Sequence, residues 1–197
     1  AMPWLAALTP NAQAAGAVVM DGRFDDWDSI LGDEVKVATT RSNLFVYFTL
    51  PNAVVFQEGS GVEIFFDTDG DPATGAPFHG IGVERRWLAG SRLGHKYTGN
   101  STDAFTTFTH SEVQLKACPV HDSATFEISV LRENMIAPML SVAVTHNGVL
   151  RGVVTTPYSN HQPIKNTDAQ RHAYTDVRAV GYNVLWDSLF QTNRGDV

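Results

Sequence analysis

Hydrophobic and polar residues alternate with a period of two along most of the first 156 positions of this chain. Residues 125–130 alternate cleanly, which is typical of a strand with one face in water. Residues 44–50 and 62–66 are apolar on both faces and predict central strands, and 140–146 predict another. Weaker strand candidates are 17–20, 34–39, 82–88, 111–117 and 151–156.

Short turn signals separate these segments, and one of them stands out. Asn147-Gly148 lies between two strand candidates and predicts a tight hairpin. Only residues 131–140 are expected to hold a helical turn. Many strands at regular spacing predict an all-β fold, an antiparallel β-sandwich of the jelly-roll or immunoglobulin-like kind with few or no helices.

The character of the sequence changes at both ends. We expect an N-terminal extension over 1–16, a β-sandwich domain over 17–156 and a C-terminal extension over 157–197. The C-terminal extension is mostly polar at first, and 171–182 predict one further strand packed on the sandwich.

Composition narrows the classes of partner. The formal net charge is −7 and no cluster of Lys and Arg is present, which argues against nucleic-acid binding. Arg85-Arg86 is the densest basic spot and is expected on a solvated strand face. No apolar run approaches the roughly 20 residues that span a membrane. Cys118 is the single cysteine and is expected to be a buried bystander.

The most informative stretch follows the strand candidate at 62–66. Asp67, Asp69 and Asp71 alternate and enter a turn rich in Gly and Pro. At an effective dielectric constant of about 20, two like charges ~4 Å apart repel by roughly 4 kcal/mol. A bound cation would remove that repulsion, and Ca²⁺ is suited to carboxylate, carbonyl and water oxygens.

The spacing is not that of an EF-hand, because Gly70, Pro72 and Phe78 occupy positions 4, 6 and 12 counted from Asp67. Glu84, a carboxylate shortly after the turn, is a candidate supporting ligand. The alternative interpretation is a polar turn whose Asp side chains bond their own backbone without a metal.

The order of motifs resembles that of family-9-type carbohydrate-binding modules and their DOMON-like relatives. The resemblance rests on the opening Asp21-Gly22 to Asp26-Trp27, the strands at 43–48 and 62–67, and the later strand at 124–130. It covers about residues 17–155 and leaves the C-terminal extension unexplained.

The resemblance implies a calcium-bearing β-sandwich, often attached to secreted polysaccharide-degrading enzymes or found in cell-surface proteins. Asp67 and Asp69 match the acidic turn of that pattern. Asp71 and Thr74 match its variant DxDGDxxTG form. Better-known members hold sugar between two tryptophans, and no such pair aligns here.

Sugar binding requires flat aromatic faces together with polar groups that fix the hydroxyls. Trp87 and Trp186 are the candidate platforms, with packing beneath a loop as the alternative for both. Trp27 belongs to the opening motif and is expected in the core.

Enzyme motifs are missing from the sequence: there is no G-x-S-x-G, P-loop or Cys/His constellation. The seven histidines are scattered. A haem-binding DOMON-like redox domain is a minor alternative, which needs Met20, Met135 or Met139 near a histidine in space.

The leading hypothesis is therefore a non-catalytic, calcium-stabilised domain that binds a polysaccharide or glycan. It is expected to belong to a secreted or cell-surface bacterial protein. The alternative is a structural or assembly subunit that self-associates through its terminal extensions, by adding strands to an open sheet edge.

Overall fold

The computed structural model describes residues 18–28, 30–39, 43–109, 112–131 and 139–157. Its architecture is all-β and antiparallel. The one short helical element is a 3-10 turn at Asp25–Trp27. Twelve strands follow: β1 Val35–Thr39, β2 Asn43–Val54, β3 Val62–Asp67, β4 Ala76–Phe78, β5 Ile81–Val83, β6 Arg85–Leu88, β7 Leu93–Tyr97, β8 Phe105–Thr109, β9 Lys116–Cys118, β10 Ser123–Leu131, β11 Met139–His146 and β12 Val149–Pro157.

These strands form two main sheets and a small hairpin. One sheet has four strands in the order β1-β2-β10-β9, and the other has six in the order β12-β11-β3-β6-β7-β8. The β4-β5 hairpin forms a separate two-stranded ribbon. The predicted antiparallel β-sandwich is confirmed.

The core lies between the two sheets and is built from the alternate residues that face inward. Phe48, Phe56 and Phe126 form its aromatic centre, with ring centroids 5.3–5.9 Å apart. Ile64 and Trp87 contribute to the same core from the six-stranded sheet. Each of these five side chains is fully buried, so the packing that stabilises the sandwich is concentrated here.

Two smaller apolar clusters cover the outer faces of the sheets. The N-terminal segment places Val18, Met20 and Trp27 over the four-stranded sheet at Phe45 and Cys118. The β4-β5 hairpin covers part of the six-stranded sheet in the same way. Each sheet therefore has an outer face that is partly protected from water.

The N-terminal segment is fastened by one buried carboxylate. Glu127 is fully buried and accepts hydrogen bonds from the backbone N–H groups of Asp21 and Gly22, at 2.8 and 2.7 Å. Its other oxygen accepts the indole N–H of Trp27 at 3.0 Å. Residues 18–20 are therefore held by side chains and form no strand, so the strand predicted at 17–20 is wrong.

Several other local predictions can be compared with the strands. The Asn147-Gly148 hairpin is confirmed, because His146 pairs with Val149 and both turn residues have positive φ, 50° and 77°. The strand predicted at 111–117 is confined to β9. Strands β7 and β8 were not predicted, because Gly, Lys and Thr interrupt the apolar pattern that marks a strand.

Three predictions lie outside the described residues. They are the extension over 1–16, the strand at 171–182 and, beyond Pro157, the C-terminal extension. The expectation of a helical turn within 131–140 also falls largely on residues that are not described. Trp27 and Cys118 are buried as expected.

Candidate metal centre

The acidic run forms a loop between β3 and the β4-β5 hairpin. Strand β3 ends at Asp67, whose side chain is only 2% exposed. Gly70 and Gly75 then adopt left-handed backbone conformations, with φ of 70° and 67°. These two turns bend the chain back, so that residues 67–75 close on themselves instead of extending into solvent.

Three carboxylates converge in this loop. Asp67, Asp69 and Glu84 each place one oxygen within 4.8 Å of the others, and we call this group the carboxylate cluster. Asp67 is buried, Glu84 is half-buried and Asp69 is exposed. The cluster is therefore open to solvent on one side and rooted in the sheet on the other.

Glu84 reaches the cluster because the predicted strand at 82–88 is interrupted. The strand divides into β5 and β6 at this residue. The Glu84 side chain turns toward the loop, where Oε2 accepts the backbone N–H of Thr68 at 2.7 Å. The interruption brings together two carboxylates that are seventeen positions apart in the chain, Asp67 and Glu84.

The Asp side chains also bond the backbone of their own loop. Asp67 accepts the N–H of Gly70 at 2.6 Å, Asp69 that of Asp71 at 3.0 Å, and Asp71 that of Ala73 at 2.9 Å. These are the Asx-type bonds of the metal-free interpretation. They fix the shape of the loop, but they do not neutralise its charge.

Thr74 and Asp71 occupy different places relative to the cluster. The Thr74 hydroxyl lies 2.8 Å from Asp69 Oδ2 and 3.4 Å from Glu84 Oε1, so it belongs to the cluster. The carboxylate of Asp71 does not belong to it. Its backbone carbonyl, however, lies 3.0 Å from the Thr74 hydroxyl, so Asp71 contributes through its main chain.

The electrostatics of the cluster are unfavourable without a cation. Burial raises the pKa of Asp67, and the neighbouring Asp69 carboxylate raises it further. Burial likewise raises the pKa of Glu84, with Asp69 and Asp67 adding to the effect. Backbone N–H donors oppose both shifts. The charged groups acting on these two acids are thus other acids.

The donor set fits a hard divalent cation. Carboxylate, hydroxyl and carbonyl oxygens are the ligands that Ca²⁺ takes. Glycine at 75 and 82 keeps the loop compact around them. A Cβ at Gly75 would collide with Glu84 Oε1 and the carbonyl of Val83, and one at Gly82 would collide with the carbonyls of Thr74 and Asp71.

The prediction that Trp87 is a sugar platform is wrong. Trp87 is fully buried and packs against Phe108, with ring centroids 5.9 Å apart. Its strand position, Ile64↔Trp87 in the β3–β6 pairing, points it into the core. Trp186 lies outside the described residues.

The basic pair beside Trp87 is also not a solvated strand face. Arg85 is 9% exposed, and its guanidinium lies 5.5 Å from the centre of the Phe108 ring. Arg86 pairs with Glu63 at 2.5 Å and lies over Phe65. Both guanidinium groups therefore contact side chains of the same sheet.

A second feature on the outer face of the six-stranded sheet was missed by the sequence analysis. His95 and Phe105 stack in parallel, with ring centroids 3.9 Å apart and planes 12° from parallel. Phe105 is 42% exposed. Nearby, Phe78 of the hairpin stacks on Phe65 at 3.9 Å. No local motif marks these rings, because the pairing of β6, β7 and β8 brings them together.

Two residues relevant to the haem alternative can be placed in the described structure. His79 lies in the β4-β5 turn, with φ of 45°. Met20 is packed in the apolar cluster that covers the four-stranded sheet. Met135 lies outside the described residues.

Comparison with known proteins finds no protein-family model, no curated protein and no solved structure that matches this chain. The described part of the chain contains no helix with the length and hydrophobicity needed to cross a lipid bilayer.

Proposed function

We propose that this chain is a calcium-stabilised, non-catalytic β-sandwich binding domain. The observation that carries the proposal is the convergence of Asp67, Asp69 and Glu84, whose oxygens lie within 4.8 Å of one another. Thr74 adds a hydroxyl to the same cluster. A cation bound there would join the end of β3 to the β5–β6 junction.

The proposed role of the ion is to hold the loop closed. Without a cation, the repulsion among the carboxylates favours an open loop. With free Ca²⁺ at about 100 times its dissociation constant, binding to the folded state adds roughly 2.7 kcal/mol of stability. Few carboxylates and an exposed Asp69 favour an affinity suited to extracellular calcium, at about 10⁻⁴–10⁻³ M. We therefore propose a secreted or cell-surface location.

Thermal unfolding with and without calcium tests this proposal. We expect millimolar Ca²⁺ to raise the melting temperature relative to EDTA, and Glu84→Gln to reduce the increase. Glu58→Gln is the matched control, because it removes the same charge from an exposed residue elsewhere. Equal melting temperatures for the wild type in calcium and in EDTA would refute the metal site.

A second candidate function, glycan binding, is favoured by the stacked His95 and Phe105. An exposed aromatic face is what the apolar side of a pyranose packs against. Arg86 and Glu63 lie on the same face of the sheet and supply hydrogen-bonding groups. We propose that this face, rather than Trp87, contacts the sugar.

A glycan array followed by affinity electrophoresis in the best polysaccharide tests this second proposal. Phe105→Ala should abolish retention on the polysaccharide. Leu31→Ala is the control, because Leu31 is 88% exposed and lies on a different segment. Retention that survives Phe105→Ala, or an array with no binding, would contradict the proposal.

A further inference from the structure

Within the described residues, strand β8 is an edge of the six-stranded sheet that carries none of the usual protections. Its residues, Phe105–Thr109, include no charge and no proline. An exposed, flat and uncharged edge is a template for pairing with another strand. Phe105, Thr106 and Thr107 are all exposed.

The other described edges are protected. Strand β9 has only three residues, one of them Lys116, and Pro119 follows closely. Strands β1 and β12 lie against each other where the two sheets meet, joined by the Glu34–Arg151 ion pair. Short length, lysine, proline and coverage are the devices that normally prevent edge pairing.

The hydrogen-bond register shows which groups of β8 point outward. Thr98 N–H donates to the carbonyl of Ala104, directly opposite it, at 2.9 Å. Along β7–β8, bonded and non-bonded pairs alternate, so Lys96↔Thr106 is a bonded pair and His95↔Thr107 and Tyr97↔Phe105 are not. The N–H and C=O groups of Phe105 and Thr107 therefore face away from β7.

The free edge of β8 ends at Thr109. Thr109 also faces outward, but its carbonyl accepts the N–H of Glu112 at 3.2 Å, and its own N–H donates to the Glu112 carboxylate at 3.3 Å. The free edge is thus centred on Thr106, between two residues that each offer one donor and one acceptor.

We propose that this edge pairs with the same edge of a second copy of the chain. Antiparallel pairing about a two-fold axis at Thr106 places Phe105 opposite Thr107 of the other copy. Four hydrogen bonds then use all eight outward N–H and C=O groups of the two copies. The edge complements itself in this register, and the three paired residues of each copy carry no charge.

Exposed apolar side chains support a second copy as the occupant. Three of the five large hydrophobic residues that are exposed in the described structure, Leu88, Leu93 and Phe105, lie on β6, β7 and β8. All three lie on the outer face of the sheet. Pairing brings the two Phe105 side chains into diagonal contact and removes apolar surface from water.

Although it shares Phe105 with the proposed glycan face, this inference does not depend on the calcium site. Analytical ultracentrifugation of the full chain over a range of concentrations tests it. We expect a reversible dimer that is strengthened by moderate salt, because each copy carries a formal net charge of −7. A chain that stays monomeric at its highest soluble concentration would overturn the proposal.

Charge variants at Thr106 test the position of the two-fold axis. Thr106→Lys should weaken dimerisation by at least about tenfold, because two like charges then face each other beside Lys96. Thr106→Glu should weaken it less, because Lys96 lies directly opposite it in the same sheet. A mixture of the two variants should restore dimers. Thr102→Lys is the control, because it adds the same charge to an exposed residue outside the strand. Equal weakening by the control, or no restoration in the mixture, would contradict the register.

A cysteine variant gives an independent measurement. In the proposed register the two Thr106 residues form a non-bonded antiparallel pair, with Cα atoms ~4.5 Å apart, within disulfide range. Thr106→Cys should therefore form a disulfide-linked dimer on mild oxidation, and Thr102→Cys should not. The native Cys118 does not interfere, because it is buried and burial raises its pKa to about 12. Equal cross-linking of the two variants would contradict the proposal.

Discussion

Two acidic sites lie on opposite sheets of this sandwich, and they differ in the number of carboxylates that they bring together. Glu127 is a single carboxylate that receives three N–H donors, two from the backbone and one from Trp27. The carboxylate cluster gathers three acids, Asp67, Asp69 and Glu84, and the Asp69 carboxylate raises the pKa values of the other two. The first site is complete within the protein. The second has an excess of negative charge.

The difference shows how the same functional group can serve two purposes. A carboxylate surrounded by N–H donors acts as a structural clamp, and here it holds residues 21–27 on the sheet. Several carboxylates gathered at one place form a site that a cation would complete. The number of acids that share a site, one against three, separates the two sites.

Removing the clamp should give the largest effect. Glu127→Ala leaves three N–H donors without an acceptor, the buried indole of Trp27 and two partly buried backbone groups, at about 1–3 kcal/mol each. We expect the free energy of unfolding to fall by about 3–5 kcal/mol in urea denaturation. Glu63→Ala is the control, because its ion pair with Arg86 is partly exposed and contributes at most about 1 kcal/mol. Equal losses would show that Glu127 is not a clamp.

The pH dependence of stability should also report on Glu127. Burial raises its pKa to about 8 from an ordinary value of 4.5, although the N–H donors oppose the shift. The folded state then holds a proton that the unfolded state releases, so stability falls as pH rises from 4.5 to 8. We expect a loss of roughly 2–4 kcal/mol.

This pH experiment requires saturating calcium. Without a bound cation, the raised pKa values of Asp67 and Glu84 also make the free energy of unfolding fall as pH rises. Glu127→Gln cannot ionise and should flatten the profile. In Glu127→Gln the new NH₂ group faces the indole N–H of Trp27, so two donors oppose each other. The double variant Glu127→Gln/Trp27→Phe removes this conflict and provides a second comparison. A steep profile in both variants would assign the pH dependence to other groups.

At the carboxylate cluster, calcium should decide whether Asp69→Asn stabilises or destabilises the protein. Asp69→Asn removes one negative charge, so it should stabilise the protein in EDTA by relieving repulsion. In calcium it should lose most of the roughly 2.7 kcal/mol expected from the ion. Urea denaturation in the two buffers measures both effects. Destabilisation by the same amount in each buffer would favour the metal-free polar turn.

The smallest effect is expected at Asp71. Its carboxylate lies outside the cluster, and its bond to the N–H of Ala73 is exposed. Asp71→Asn keeps an acceptor there, so calcium affinity and stability should change by at most about 0.5 kcal/mol. Isothermal titration with Ca²⁺ alone is the measurement. A loss as large as that of Asp69→Asn would place the Asp71 carboxylate among the ligands.

The sequence by itself determined the fold class and the acidic loop. Alternation over 125–130 and short apolar runs over 44–50 and 62–66 were sufficient to predict a β-sandwich, since these patterns do not depend on which strands become partners. The Asn147-Gly148 hairpin could also be predicted from local sequence, because its turn requires residues that tolerate positive φ. Asp67 and Asp69 were found because neighbouring acids are visible in the chain.

Tertiary structure alone decided which side chains are accessible and which distant residues meet. The sequence left Trp87 as a candidate sugar platform, and the β3–β6 register places it in the core. Glu127 appeared to be one alternating polar residue, yet residues 21–27 fold over it. The His95–Phe105 stack and the free edge of β8 depend on pairing between strands. Local pattern fixes the face of a residue within its own strand, but burial depends on what packs against that face, which the packing of distant segments determines.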